Sequence, residues 1–295
     1  MFKILIPVDF TSGSINACRY ALQLAAAYPQ AEILLLHCFR DYLLDGELDE
    51  PFSNTGRSTL SPGSEEATDR VLHRNQSTEY KQLEELYTSL QGQNIQIERQ
   101  FVNGSPEDVI PDQLAQYKPD LLVMGTKGDS DFSRTLFGTI TTKMVDNATV
   151  PLLTVPENHT KPNLRRVLYA TDFDKTDAQA ITMLQQLLQP LNTGVLCVHI
   201  GSEGSERKDN QKLQQLQQAL QAGTSSEQDI QFVLLEGDDV AEALKQFVAQ
   251  EQIGLIAVNN QQRSLLSSIL HPSLTKKLVL EVQVPMLIFH SPTKA

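Results

Sequence analysis

A chain of 295 residues, 40% hydrophobic and 20% charged, has the composition of soluble globular protein and the length of two domains of about 150 residues each. Its net charge of −12 disfavours nucleic acid as the main partner, since duplex binding draws on Lys and Arg neutralising phosphates, and no run approaches the roughly 18 apolar residues of a membrane span. Three widely spaced cysteines, Cys18, Cys38 and Cys197, argue for reduced thiols in a cytoplasmic compartment rather than a disulfide framework, and the six histidines show no metal-ligand spacing.

The chain opens on an apolar strand, Lys3 to Val8, that closes in Asp9-Phe10, with none of the n-region and h-region of a signal peptide. Ile15, Cys18, Leu22 and Ala25 then recur at helical spacing behind a Thr11-Ser12 cap. A second strand runs from Ile33 to His37. Residues 41 to 70, rich in Asp, Glu, Ser, Gly and Pro, lack periodicity and read as a mobile insertion. Tyr80, Leu83, Leu86 and Leu90 mark a helix, Ile95, Ile97 and Phe101 a strand, and Val109, Ile110, Leu114 and Tyr117 a helix after Ser105-Pro106. The uninterrupted apolar run Leu121 to Met124 predicts a strand covered on both faces. Ile140, Met144 and Val145 give a further helix, and Val150 to Val155 the last strand before a polar linker, residues 156 to 163.

The order then repeats. Lys3 to Phe10 returns as Arg166 to Phe173, with Asp172 in the place of Asp9, and Ile33 to His37 returns as Val195 to His199. Near the ends, Thr141, Lys143, Val145, Val150, Pro151 and Leu153 recur without a gap as Thr275, Lys277, Val279, Val284, Pro285 and Leu287. Asp9 and Gly125 stand 29 residues further apart than Asp172 and Asn259, which is about the length of the insertion. In the second half, Leu213, Leu216 and Leu220 make the Gln-rich stretch 209 to 221 an amphipathic helix. Alternating strands and helices predict parallel sheets with right-handed crossovers, so the fold class is α/β: two domains, 1–155 and 164–295, each a five-stranded, mainly parallel sheet flanked by helices.

The sharpest local signal is Gly125-Thr126-Lys127-Gly128, then nine residues, then Gly138-Thr139. It lies between an apolar strand and a helix start. Glycines there admit close approach of an anion, and the helix start offers unpaired N–H groups with the positive end of a dipole. The pattern is neither a P-loop nor the dinucleotide-binding G-x-G-x-x-G. In register, Asn259, Gln262, Pro272 and Ser273 stand opposite Gly125, Gly128, Gly138 and Thr139, so the second half keeps only the hydroxyl.

The glycine pattern, the aspartate closing the first strand and the Val150-Pro-Leu-Leu-Thr-Val155 ending resemble the nucleotide-binding branch of the universal stress protein family. The resemblance spans both halves apart from the insertion and linker, and implies tandem Rossmann-like, adenine-nucleotide-binding domains. It implies ATP, ADP or AMP, with or without Mg2+, held in the first half. Gly125, Gly128, Gly138 and Thr139 would line the phosphates and ribose, with Lys127 as a compensating charge. Asp9 would sit on the nucleoside side and the Cys38 backbone would meet the adenine. It also implies pairing of the two halves through their last strands, with further pairing of whole chains left open.

Plainer readings stand beside these. The glycines could form a tight turn without ligand, Asp9 could serve only as a helix cap, Lys127 could be a solvated charge, and His37 and His199 could be structural. Three functions compete on this basis: a non-catalytic nucleotide-binding regulator of stress response, a slow ATPase or nucleotidyl-transfer enzyme, and a scaffold without ligand. The enzyme reading lacks a Ser-His-Asp, metal-ligand or paired-carboxylate arrangement at recognisable spacing.

Overall fold

A computed structural model describes residues 1–39, 62–92, 95–126, 139–223, 230–237, 239–260 and 284–290. The first half runs β1 (Phe2–Pro7), α1 (Ser12–Ala25), β2 (Ala31–Phe39), α2 (Pro62–Leu90), β3 (Gln96–Asn103), α3 (Pro106–Tyr117), β4 (Leu121–Thr126), α4 (Thr139–Asn147) and β5 (Leu152–Pro156). The second runs β6 (Arg166–Ala170), α5 (Asp177–Leu188), β7 (Gly194–Gly201), α6 (Glu206–Gly223), β8 (Ile230–Glu236), α7 (Val240–Gln250), β9 (Leu255–Asn260) and β10 (Met286–His290).

The strands make one sheet of ten in the order β3-β2-β1-β4-β5-β10-β9-β6-β7-β8. Within each half every pairing is parallel, as chain reversal through a covering helix requires. The halves join where β5 and β10 pair antiparallel, with Leu153 opposite Leu287. Those two residues are also equivalent in the sequence repeat, so a pseudo-twofold axis passes through them. The pairing removes two edges that would otherwise present open backbone groups. Because the junction is antiparallel, the carboxyl ends of the strands in one half lie on the same side as the amino ends of the other.

Alternation along β1 sets the layers: Ile4 and Ile6 pack with α1, α2, α5 and α6 on one face, and Leu5 packs with α3, α4 and α7 on the other. Strands β4 and β9 are apolar on both sides and almost wholly buried, the pattern expected of a doubly covered parallel sheet. The amphipathic reading of residues 209 to 221 holds, with Leu216 and Leu220 buried under α6.

The insertion is shorter than expected. Helix α2 starts at Pro62, so residues 62 to 70 belong to a helix that the loop-like composition concealed. A proline suits a first helical position, and Pro62 stands there. The remainder of the insertion lies outside the described residues. The linker is fastened to α1. The Asn16 side-chain amide donates to the carbonyls of Pro156 (3.0 Å) and His159 (2.7 Å), and Gln23 donates to Thr160 (3.2 Å). Among the described residues no helix is long and apolar enough to cross a membrane.

Candidate functional site

A cavity of about 390 Å3 opens at the carboxyl ends of β1, β2 and β4. Open α/β sheets hold ligands in this position, where neighbouring crossovers depart to opposite faces. Asp9, Cys38 and Gly125 all line it, together with His37, Met124 and Glu157. Thr139 is exposed at the first turn of α4, and the next two residues, Ile140 and Thr141, reach the cavity wall. Lys127, Gly128 and Gly138 lie outside the described residues, as do Gln262, Pro272 and Ser273.

Asp9 follows β1 and is locked by the start of α1. Its Oδ1 accepts from the Thr11 backbone N–H (3.1 Å) and hydroxyl (2.6 Å), while Thr11 itself caps α1 through the Ser14 N–H (3.3 Å). Burial opposes ionisation of Asp9, but the hydrogen bonds from Thr11 and Ser14 together outweigh it and hold the carboxyl below its ordinary range. Capping and cavity-lining therefore coexist here. At the equivalent Asp172 burial prevails over the nearby His199 and Lys212, and the carboxyl is raised instead.

Gly125 has a packing reason that spacing did not disclose. A Cβ added there would stand 2.8 Å from the Ser14 nitrogen and closer still to the carbonyl group of Gly13. The reciprocal addition at Gly13 would stand 3.2 Å from the Thr126 carbonyl oxygen. Two facing glycines thus bring the first turn of α1 against the end of β4 and set the cavity floor. In the second half the facing positions carry Thr176 and Asn259, whose side chains hydrogen-bond at 2.7 Å. Helix α5 accordingly begins at Asp177, two residues later in register than α1.

Cys38 is half-buried near the end of β2, and burial pushes its thiol up to about 11, so it stays a neutral thiol near pH 7. Beside it, His37 takes up a role that is repeated in both halves. His37 Nδ1 lies 2.8 Å from the Val8 carbonyl oxygen and His199 Nδ1 lies 2.9 Å from that of Thr171. Their Nε2 atoms face Glu79 and Asp209, each at 3.6 Å. A phenylalanine ring covers each imidazole, Phe10 at 4.4 Å and Phe173 at 4.3 Å between centroids. Both phenylalanines adopt positive φ, 61° and 57°, a conformation uncommon outside glycine, Asn and Asp. The twin histidines are therefore structural pins for the β1 and β6 termini. Glu157, bonded to the Ser12 hydroxyl, is a second cavity carboxylate that no sequence pattern indicated.

The fold is that of a tandem α/β protein with a doubly covered, mainly parallel sheet, its halves joined through their last strands. Models of the Universal stress protein family match residues 1–156 and 163–290, and the chain belongs to that family. A universal stress protein of Methanocaldococcus jannaschii is 26% identical over 153 residues, covering 52% of this chain and 81% of its own length. Among solved structures, a universal stress protein from Archaeoglobus fulgidus superposes with a TM-score of 0.67 at 17% identity over 98% of both chains. A putative universal stress protein from Pseudomonas aeruginosa gives a TM-score of 0.60 at 14% identity, covering 98% of this chain and 92% of its own. These likenesses establish a shared tandem fold. A family protein of Arabidopsis thaliana, solved with AMP bound, is 22% identical over 54% of this chain and 94% of its own, at a TM-score of 0.37.

Proposed function

We propose that this protein binds one adenine nucleotide in its first half and acts as a non-catalytic, nucleotide-responsive regulator. The observation that carries the reading is the cavity at the carboxyl ends of β1, β2 and β4, into which Asp9, Cys38 and Gly125 converge. A volume of about 390 Å3 suits a nucleotide-sized ligand. The Cys38 backbone borders the adenine. Asp9, already ionised, accepts from a ribose hydroxyl. The phosphates lie toward Gly128, Gly138 and Thr139 at the start of α4, where unpaired N–H groups and the helix dipole favour negative charge. Lys127 offsets part of that charge. Glu157 and Asp9 add two negative groups to the cavity wall, so higher phosphates gain from an accompanying cation.

Binding without turnover is favoured by what surrounds the ligand. The Cys38 thiol is not ionised near neutral pH, and His37 Nδ1 is engaged with the Val8 carbonyl rather than with a nucleophile. The test is mass spectrometry of small molecules released from purified, denatured protein, combined with calorimetry. One adenine nucleotide per chain, recovered unchanged, is expected. Absence of saturable binding at millimolar ATP, ADP and AMP would overturn the reading, and steady product release would move the protein to the enzymes.

A further inference from the structure

The second half does more than complete the sheet. Helix α4 begins at the glycine motif of the first half and ends, nine residues later, against the other half. Its Val145 carbonyl oxygen accepts from the side-chain amide of Asn260 at 2.6 Å and lies 2.9 Å from Nε2 of His290. Asn260 is the last residue of β9 and His290 the last of β10. Val145 belongs to the last four residues of α4, whose carbonyls have no partner within the helix. Both lone pairs of this carbonyl are thus engaged by donors from across the pseudo-twofold axis. The equivalent residues in the first half are Thr126 and Pro156, and the proline ring carries no hydrogen-bond donor. The second half thus clamps the helix of the first through the last residues of β9 and β10.

A helix of nine residues is marginal alone, and its position is fixed by tertiary contacts. At its start the Thr141 hydroxyl reaches the Gly125 carbonyl at 3.4 Å; at its middle Lys143 pairs with Glu107; at its end stands the clamp. Loosening the far end frees the whole short rod to shift, and with it the N–H groups that face the ligand.

We infer that Asn260 and His290 are positioning residues for the nucleotide site, acting through the Val145 carbonyl to hold α4 in its binding geometry. This rests on the nucleotide reading above. The second half is then a built-in support for a single site. Coupling is reciprocal: nucleotide on the first half steadies the clamp as the clamp steadies the site.

The experiment compares the full-length wild type with Asn260→Ala/His290→Ala, His290→Gln, and a control, Tyr169→Phe. The control removes a buried hydrogen bond to Asp177 in the second half, 2.8 Å long, in the layer on the opposite face of the sheet from α4. Calorimetry with ATP and AMP, melting temperature, and hydrogen exchange across residues 139–147 are measured on all four. The double variant should bind about tenfold more weakly and exchange α4 amides faster, a coupling of ordinary size. His290→Gln, which keeps an N–H donor, should restore most of the affinity. Tyr169→Phe should lower the melting temperature while leaving affinity and α4 exchange unchanged. Wild-type binding that persists unaltered in the double variant overturns the inference alone, as does an equal loss of affinity in Tyr169→Phe. A wild type that binds no nucleotide overturns the underlying reading, and the inference falls with it.

Discussion

Replacing Gly125 with alanine puts one methyl group into the tightest contact between α1 and β4. The new Cβ would lie 2.8 Å from the Ser14 nitrogen and nearer still to the Gly13 carbonyl, all of it backbone that cannot rotate aside. Carbon contacts relax at roughly 3.5–4.0 Å, so the first turn of α1 must retreat by about 1 Å. Overpacking of this kind costs about 1–3 kcal/mol. At about 2–4 °C per kcal/mol for a domain of this size, scanning calorimetry should record a melting temperature lower by roughly 2–12 °C. The retreat also displaces Thr11 and the Asp9 carboxylate it anchors, so nucleotide affinity should fall in the same variant. A Gly125→Ala protein that melts within a degree of wild type would refute the close-approach argument. It would return Gly125 to a purely ligand-facing role. Gly13→Ala, whose added Cβ stands 3.2 Å from a carbonyl oxygen, should cost less.

The remaining predictions address ligand and pH. Gly128→Val or Gly138→Val should weaken nucleotide binding about tenfold or more, near 1.4 kcal/mol; calorimetry at wild-type affinity would remove these glycines from the site. Cys38, its thiol pushed up to about 11, should react slowly with maleimide at pH 7.5 and more slowly still with nucleotide bound, and labelling that ignores nucleotide would argue against adenine beside β2. Burial lowers the His290 imidazole below its ordinary 6.5, against weaker opposing effects of the Val145 and Val150 carbonyls and Asp146. The unfolded chain therefore binds that proton first, and stability present above about pH 6.5 declines as pH falls from there toward the folded value. His290→Gln should flatten this part of the acid slope in thermal melts; an unchanged slope would assign it to other groups.

Much of the architecture was legible because it rests on patterns that survive without tertiary information. Leu121 to Met124 could only be a doubly covered strand, and the equivalence of Leu153 with Leu287 in the repeat became the actual pair on the pseudo-twofold axis. What escaped notice depended on contacts between distant segments. The Gly13–Gly125 approach joins residues more than a hundred apart, and neither glycine needs positive φ; the requirement is empty space. The start of α2 was hidden because Pro, Ser and Glu suit both a loop and a helix's first turn. The positive φ of Phe10 and Phe173 was unreadable, since phenylalanine carries no preference for that region and is held there by the histidine beneath it. Glu157 was read as linker because nothing local indicates that the linker turns back toward α1.

Fusion of two like halves lets them diverge in a way that identical protomers cannot. The second half has kept each element that holds the sheet: the strand order, the histidine pin and the antiparallel junction. It differs at the positions where Gly13 and Gly125 face each other in the first half. Where Gly13 and Gly125 leave room, Thr176 and Asn259 fill it with a side-chain hydrogen bond. Nearby, Asp177 is buried and accepts from Tyr169, Thr171 and the Asp174 N–H. A buried carboxylate accepting three such bonds stabilises a fixed arrangement of the start of α5. At Asp172 burial raises the carboxyl, whereas hydrogen bonds hold that of Asp9 below its ordinary range. The same strand ends supply Asn260 and His290, which now face the partner half. On the function proposed above, one explanation covers these changes: covalent joining of the halves lets contacts in the second serve the site in the first.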